Sequence, residues 1–219
     1  MSTDLEVAAD PAAVARRGAE VIADRARSAV DDRGTFTLAV SGGHTPVAMF
    51  AALGELDLPW QAMSIYQVDE RIAPAGDDDR NLTHLMASLP EPARRRVNPM
   101  PVEAADVTAA AAEYAAALPA LDLVHLGIGD DGHTASLVPG DPVLEVTDRT
   151  VAVTGDYRGH RRMTLTYPAL DAAGEILWIV AGEDKRDPVA KLLAHDPSVP
   201  AGRVSAERML VLADRAAAG

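Results

Sequence analysis

The sequence predicts an α/β domain with a mostly parallel sheet covered by helices on both faces. Three observations carry this. Apolar runs of strand length alternate with stretches of helical periodicity along the whole chain. The apolar residues are mostly Ala, Val and Leu, with only 2 Phe and 2 Trp, which suits buried parallel strands and helices better than an aromatic-rich sandwich. At 219 residues, with no long Gly/Ser linker and no internal repeat, the chain fits one domain spanning 1–219.

Asp10 and Pro11 form an N-cap followed by proline in the first helical turn, and Val14, Gly18, Val21, Ile22 and Ala29 recur at helical spacing until Gly34 stops the helix. A strand over Phe36-Val40 follows, then the turn Ser41-Gly42-Gly43 and a new helix from Thr45-Pro46. Met63-Val68 reads as a second strand, the polar stretch from Asp69 to Asn81 as irregular, and Leu82-Leu89 as a short helix. The proline cluster from Pro90 to Pro101 reads as a loop. An Ala-rich helix over Thr108-Ala117, with Tyr114 and Leu118 in its apolar stripe, leads into the strand Leu121-Ile128. Further strands are expected near Val151-Val153, Met163-Thr166, Ile176-Val180 and Met209-Leu212, with a helix near Pro188-Ala194.

The formal net charge of -13 argues against nucleic acid or an anionic membrane surface as partner, because the broad field repels both. Any anionic ligand must therefore meet a local cluster of cations. The chain has no cysteine, which removes thiol catalysis, disulfides and thiolate metal sites. The acidic start from Met1 to Asp10 lacks the pattern of a signal peptide, and no apolar run approaches membrane-spanning length, so a cytoplasmic address is expected.

Ligands of parallel sheets collect at the carboxyl ends of strands, which directs attention to the polar loops after apolar runs. Ser41-Gly42-Gly43 sits between a strand and a helix, where backbone N–H groups and the positive helix end can receive a phosphate; a tight turn with no ligand explains the same glycines. Ser41 lacks the flanking pattern of a nucleophile elbow and fits hydrogen bonding to a ligand better. Gly127 to Gly132 is a literal G-x-G-x-x-G, but Asp130 and Asp131 stand where a pyrophosphate needs positive potential, and the motif is not in the first βα turn. His133 after this turn, with an acid nearby to orient it, is a candidate general base, whereas His125 inside the apolar run reads as structural. Asp69-Glu70-Arg71 either supplies a cation to a phosphate or is a solvated strand end. Asp77-Asp78-Asp79 reads as hydrated carboxylates rather than a metal site. Arg161, Arg162 and Lys185 are further cations at strand boundaries.

Taken together the segments resemble the 6-phosphogluconolactonase family over nearly the whole chain. The matching pieces are Ser41-Gly42-Gly43 with Thr45-Pro46, Asp69-Glu70-Arg71 with Pro74, Asp79-Arg80-Asn81, the run from Gly127 to Leu137 with Pro139-Gly140, Arg162 to Thr166, and Ala181-Gly182 with Lys185. The resemblance implies a modified Rossmann-like fold and hydrolysis of 6-phosphoglucono-δ-lactone to 6-phosphogluconate in the oxidative pentose phosphate pathway. It implies His133 as base with Asp131 orienting it. Ser41, Gly42, Gly43, Thr45, Asp69, Arg71, Asn81, Arg162 and Lys185 are then the substrate- and phosphate-binding set. A metal and an organic cofactor are not expected, and a monomer or weak homo-oligomer is.

The sister family of glucosamine-6-phosphate deaminases shares the Ser-Gly-Gly and Asp-Gly-His loops but continues with a glutamate after the histidine, where this chain reads Thr134-Ala135-Ser136-Leu137-Val138-Pro139. It also typically has tyrosine where Arg71 stands. Departures from the lactonase pattern are Val138 in place of phenylalanine, His44 in place of a small or polar residue, and the missing proline before the Arg162 segment, which leaves Arg161 and Arg162 both open as the substrate contact. A sugar-phosphate-binding regulator is the rival of another class; His133 and the lack of a DNA-binding motif argue against it.

Overall fold

The apolar runs pair into a sheet because each alternates its side chains between two buried faces. The computed structural model describes residues 2–42 and 45–219, Thr45 by its backbone alone. In chain order the elements are β1 (Ser2–Ala8), α1 (Pro11–Arg33), β2 (Phe36–Val40), α2 (Thr45–Leu53), β3 (Met63–Gln67), β4 (Asp69–Arg71), α3 (Asn81–Ser88), α4 (Glu91–Arg94) and β5 (Val97–Asn98). They continue with α5 (Val107–Ala117), β6 (Leu123–Leu126), β7 (Val151–Val153), β8 (Arg162–Leu165), α6 (Tyr167–Asp171), β9 (Ile176–Val180), α7 (Arg186–Leu193), β10 (Arg208–Asp214) and α8 (Arg215–Ala218). Asp10 caps α1 by accepting from the Ala13 amide, and Gly34 ends it, as the sequence predicts.

Seven strands form one parallel sheet in the order β1-β10-β9-β6-β2-β3-β5. Leu38, Val40, Leu123, Leu177 and Ile179 pack on one face with α1, α2 and α3. Ala39, Val124, Leu126, Ile176, Trp178 and Val180 pack on the other with α5, α6 and α7. This is a Rossmann-like α/β architecture. From β2 the chain runs outward through β3 to β5 and then returns to β6 on the other side of β2. The carboxyl ends of β2 and β6 therefore diverge, which is the switch point where such sheets bind ligands.

Two readings are corrected. The stretch from Asp69 to Asn81 is not wholly irregular: Asp69–Arg71 is a strand whose polar composition hid it, because its side chains face a polar cleft and a buried carboxylate instead of an apolar core. It joins β8 and β7 in a second, antiparallel sheet, so the strands expected at 151 and 163 exist outside the parallel one. The proline-rich loop contains α4 and β5. The acidic start also supplies β1, an edge strand whose Leu5 and Val7 remain exposed, so no buried apolar face marked it.

The crossing from β3 into β4 is secured by Glu70, which is fully buried. Its carboxylate accepts from Gln67 Nε2 at 2.9 Å, the Arg71 amide at 2.7 Å, and the Asn81 and Leu82 amides at 2.8 Å each. The last two are orphan N–H groups of the first turn of α3, so Glu70 does the capping work that Arg80 at the N-cap does not. Arg80, itself buried, sets its Nε 3.2 Å from the same carboxylate. Replacing Glu70 by Ala leaves four donors without their acceptor and the buried Arg80 with only Glu103 and the Ala73 carbonyl, and is expected to lower stability by about 3–5 kcal/mol. Urea unfolding measures this; a loss below about 1 kcal/mol means the network is dispensable.

Candidate active site

At the switch point a cleft of about 370 Å³ opens. It is lined from β2 and α2 by Ser41, Gly42 and Pro46, from β4 and α3 by Asp69, Arg71 and Asn81, from the β6 loop by Gly127, Gly129, Asp130 and His133, and from elsewhere by Arg158, Arg162 and Lys185. Eight of the predicted site residues thus share one cleft, and Asp131 adjoins it through His133. Gly43 and the Thr45 side chain lie outside the described residues, as does His44.

The β6 loop aims His133. Gly132 has φ 79°, a backbone suited to glycine, and the Gly129 amide donates to the His133 carbonyl at 2.8 Å. A Cβ on Gly129 would overlap the His133 imidazole, so the bare backbone there is what lets the ring lie down on the loop. Although two positions apart on a turn, Asp131 and His133 do meet: Asp131 Oδ1 lies 2.6 Å from His133 Nδ1 and 3.0 Å from its amide. A carboxylate can only accept, so Nδ1 carries the proton and Nε2 is left with a lone pair. Partial burial opposes ionisation of Asp131, but hydrogen bonds from the His133 amide and ring and from Tyr157 outweigh it and hold the carboxyl below the usual range.

The cations come from the second sheet. Antiparallel pairing puts Arg71 opposite Arg162 and Asp69 opposite Thr164, and the two-residue alternation puts all four on one face. Nε of Arg71 and of Arg162 are buried with no partner among the described residues. Burial pulls the Arg162 guanidinium down from its ordinary value, against the pull of Asp69. Arg162 is the inward member of the pair in question, since it lines the cleft and Arg161 does not. Lys185 follows β9 through Gly182, whose amide donates to the buried Asp214 at 3.1 Å, and its Nζ lies 2.9 Å from Asp184.

Some predicted ligands are engaged within the protein. Asp69 is buried; its Oδ1 accepts from Asn81 Nδ2 at 3.0 Å and its Oδ2 from Ser136 Oγ at 2.6 Å. Burial raises its carboxyl, against Ser136, Arg71 and Arg162. The Ser41 amide donates to the His125 carbonyl and Nδ1, at 3.2 and 3.3 Å, so it is not a free phosphate donor. Sequence reasoning missed Tyr157, Arg158 and Ser136. The signal for the first two is Arg158-Gly159 between Tyr157 and His160, a two-residue turn. After Gly132 no helix begins, which agrees with setting aside the dinucleotide reading. Among the described residues no three His, Cys, Asp or Glu side chains converge as a metal site requires, and no helix is long and apolar enough to cross a membrane.

The fold and the cleft together define a Rossmann-like α/β enzyme. Residues 9–212 match the family described as Glucosamine-6-phosphate isomerases/6-phosphogluconolactonase, and the chain belongs to that family. A 6-phosphogluconolactonase of Nostoc sp. is 35% identical over 209 residues, 89% of this chain and 86% of the relative. One of Mesorhizobium japonicum is 38% identical over 191 residues, covering 82% and 80%. The chain is an enzyme of the 6-phosphogluconolactonase type. The crystal structure of a 6-phosphogluconolactonase from Shewanella baltica superposes with a TM-score of 0.86 at 26% identity, over 97% and 98% of the two chains. A monomeric glucosamine-6-phosphate deaminase also gives 0.86, at 20% identity over 98% of each, so the fold alone does not separate the two activities.

His125 borders this site and is buried against Phe50; burial pushes its imidazole down to about 3. An unfolded chain takes up that proton near pH 6.5, so the residue withdraws stability as pH falls from about 6.5 toward 3 and withdraws none above. Ring NMR is expected to find His125 neutral down to about pH 5; a midpoint near 6.5 contradicts its burial.

Proposed function

We propose that this chain hydrolyses 6-phosphoglucono-δ-lactone to 6-phosphogluconate, with His133 as general base and without a metal. The observation that carries the reading is His133, its Nδ1 held by Asp131 and Nε2 free to act, in the same cleft as Arg71, Arg162 and Lys185. Nε2 takes a proton from a water as that water attacks the lactone carbonyl carbon. The cations stabilise the oxyanion of the tetrahedral intermediate. Collapse breaks the carbon–ring-oxygen bond, and the imidazolium returns the proton to the departing ring oxygen. Asp131 stays ionised and stabilises the imidazolium.

Lys185, Arg71 and Arg162, with Gly42 beside them in the cleft, hold the phosphate and polarise the carbonyl. Asp69 and Asn81 act on the cations and on Gly42 more than on substrate, since their polar atoms bond within the protein. The ligand is a small sugar-phosphate lactone; neither nucleic acid nor a membrane takes part. The relatives' names and the missing glutamate after His133 favour lactone hydrolysis over deamination.

Purified protein is expected to hydrolyse the phosphorylated lactone far faster than the unphosphorylated one, and to keep its rate after prolonged chelation. Equal rates, ammonia release from glucosamine 6-phosphate, or loss of turnover with EDTA that Zn²⁺ or Mg²⁺ restores would overturn the corresponding part. His133→Ala is expected to lower kcat by about 10²-fold or more with KM nearly unchanged, and Lys185→Ala to raise KM with a smaller fall in kcat. Steady-state kinetics on variants checked by circular dichroism decides this. A near wild-type kcat in His133→Ala places the base elsewhere.

A further inference from the structure

Tyr157 has no part in the chemistry above, yet it touches both Asp131 and His133. Its hydroxyl donates to Asp131 Oδ2 at 2.9 Å, while Oδ1 of the same carboxylate takes the His133 ring and amide. Its ring meets the imidazole edge-on, with centroids 5.6 Å apart and planes at 65°. Arg158 and Arg162 set their guanidinium carbons 5.1 and 5.0 Å from its ring centroid, and an Arg162 Nη donates to the Tyr157 carbonyl at 3.2 Å.

We propose that Tyr157 is a positioning residue for the lactone hydrolysis, its hydroxyl fixing the Asp131 carboxylate and through it the orientation of the His133 imidazole. The inference rests on the reading of His133 as general base. Asp131 and His133 share one loop, so their mutual hydrogen bond does not by itself set the two side chains against the rest of the cleft. A bond to Oδ2 from a different element supplies that reference. The element is the turn between β7 and β8, where Tyr157 and His160 bridge across Arg158 and Gly159, both at positive φ (52° and 84°). His160 Nε2 in turn lies 2.9 Å from Asp79 Oδ2, which ties the turn to the loop before α3. Burial and the bond to Asp131 raise the phenol above its ordinary value, so it stays a donor through the working range.

The hydroxyl also draws off part of the carboxylate's charge. Without it Asp131 becomes a stronger partner for the imidazolium, and His133 holds its proton to higher pH. The charged groups facing His133 are Asp130 and Asp131 on its own loop, Arg158 and Arg162 beside Tyr157, and Arg71, Asp69 and Lys185 lining the cleft. Removing one phenolic oxygen changes the charge of none of them.

Tyr157→Phe keeps the ring and its contacts and deletes only that oxygen. In lactone hydrolysis it is expected to lower kcat about fivefold with KM within about twofold. The acid limb of its kcat/KM profile is expected to move up by about half a pH unit. Ring ¹⁵N NMR of His133 is expected to move by the same amount, and needs no turnover. If the wild type fails to hydrolyse the lactone, the proposed function falls while this titration still judges Tyr157. A His133 titration in Tyr157→Phe that coincides with wild type overturns the inference, whatever happens to kcat.

Discussion

A carboxylate with no exposure at all, Glu70, sits where the chain leaves the parallel sheet and begins the antiparallel one, and most of the cleft hangs from it. A buried charge of this kind persists only if its lone pairs are satisfied, and here the donors are Gln67 on β3, the Arg71 amide on β4 and the first two amides of α3. Satisfying Glu70 thereby fixes where Arg71 leaves the strand and where Asn81 begins the helix. Asn81 lies against Gly42 so closely that a Cβ there would overlap its amide, which carries the constraint across to β2.

The same arrangement reconciles an acidic protein with an anionic ligand. The net charge of -13 is spread over the chain, while Arg71, Arg158, Arg162 and Lys185 converge on one cleft. At the carboxyl ends of the strands these charges lie within a Debye length of any bound group, so the local field prevails over the distant one.

Much of this was legible in the sequence because it is local. The cap at Asp10, the stop at Gly34, the apolar runs and the turn before His133 each follow from neighbours within a few residues. The parts that were not legible depend on partners far along the chain. β4 is charged because Glu70 pairs with Arg80 and Arg71 faces the cleft, which inverts the pattern by which strands are recognised. β1 carries its apolar residues on an exposed edge. Ser41 lines the cleft, but its amide belongs to His125, 84 positions on, which no neighbour in the sequence announces. Tyr157 reaches Asp131 across 26 positions, and only the Arg158-Gly159 turn hinted at it.

The register of β4 against β8 sets two guanidinium groups opposite each other, an arrangement that antiparallel pairing ordinarily avoids. Asp69 offsets it only in part, because its oxygens also bind Asn81 and Ser136. The second sheet is thus frustrated at the very rung that faces the cleft. Any anion that bridges Arg71 and Arg162 relieves that repulsion in the native chain and finds no such pair in the unfolded one, so ligand concentration becomes a determinant of how much protein is folded.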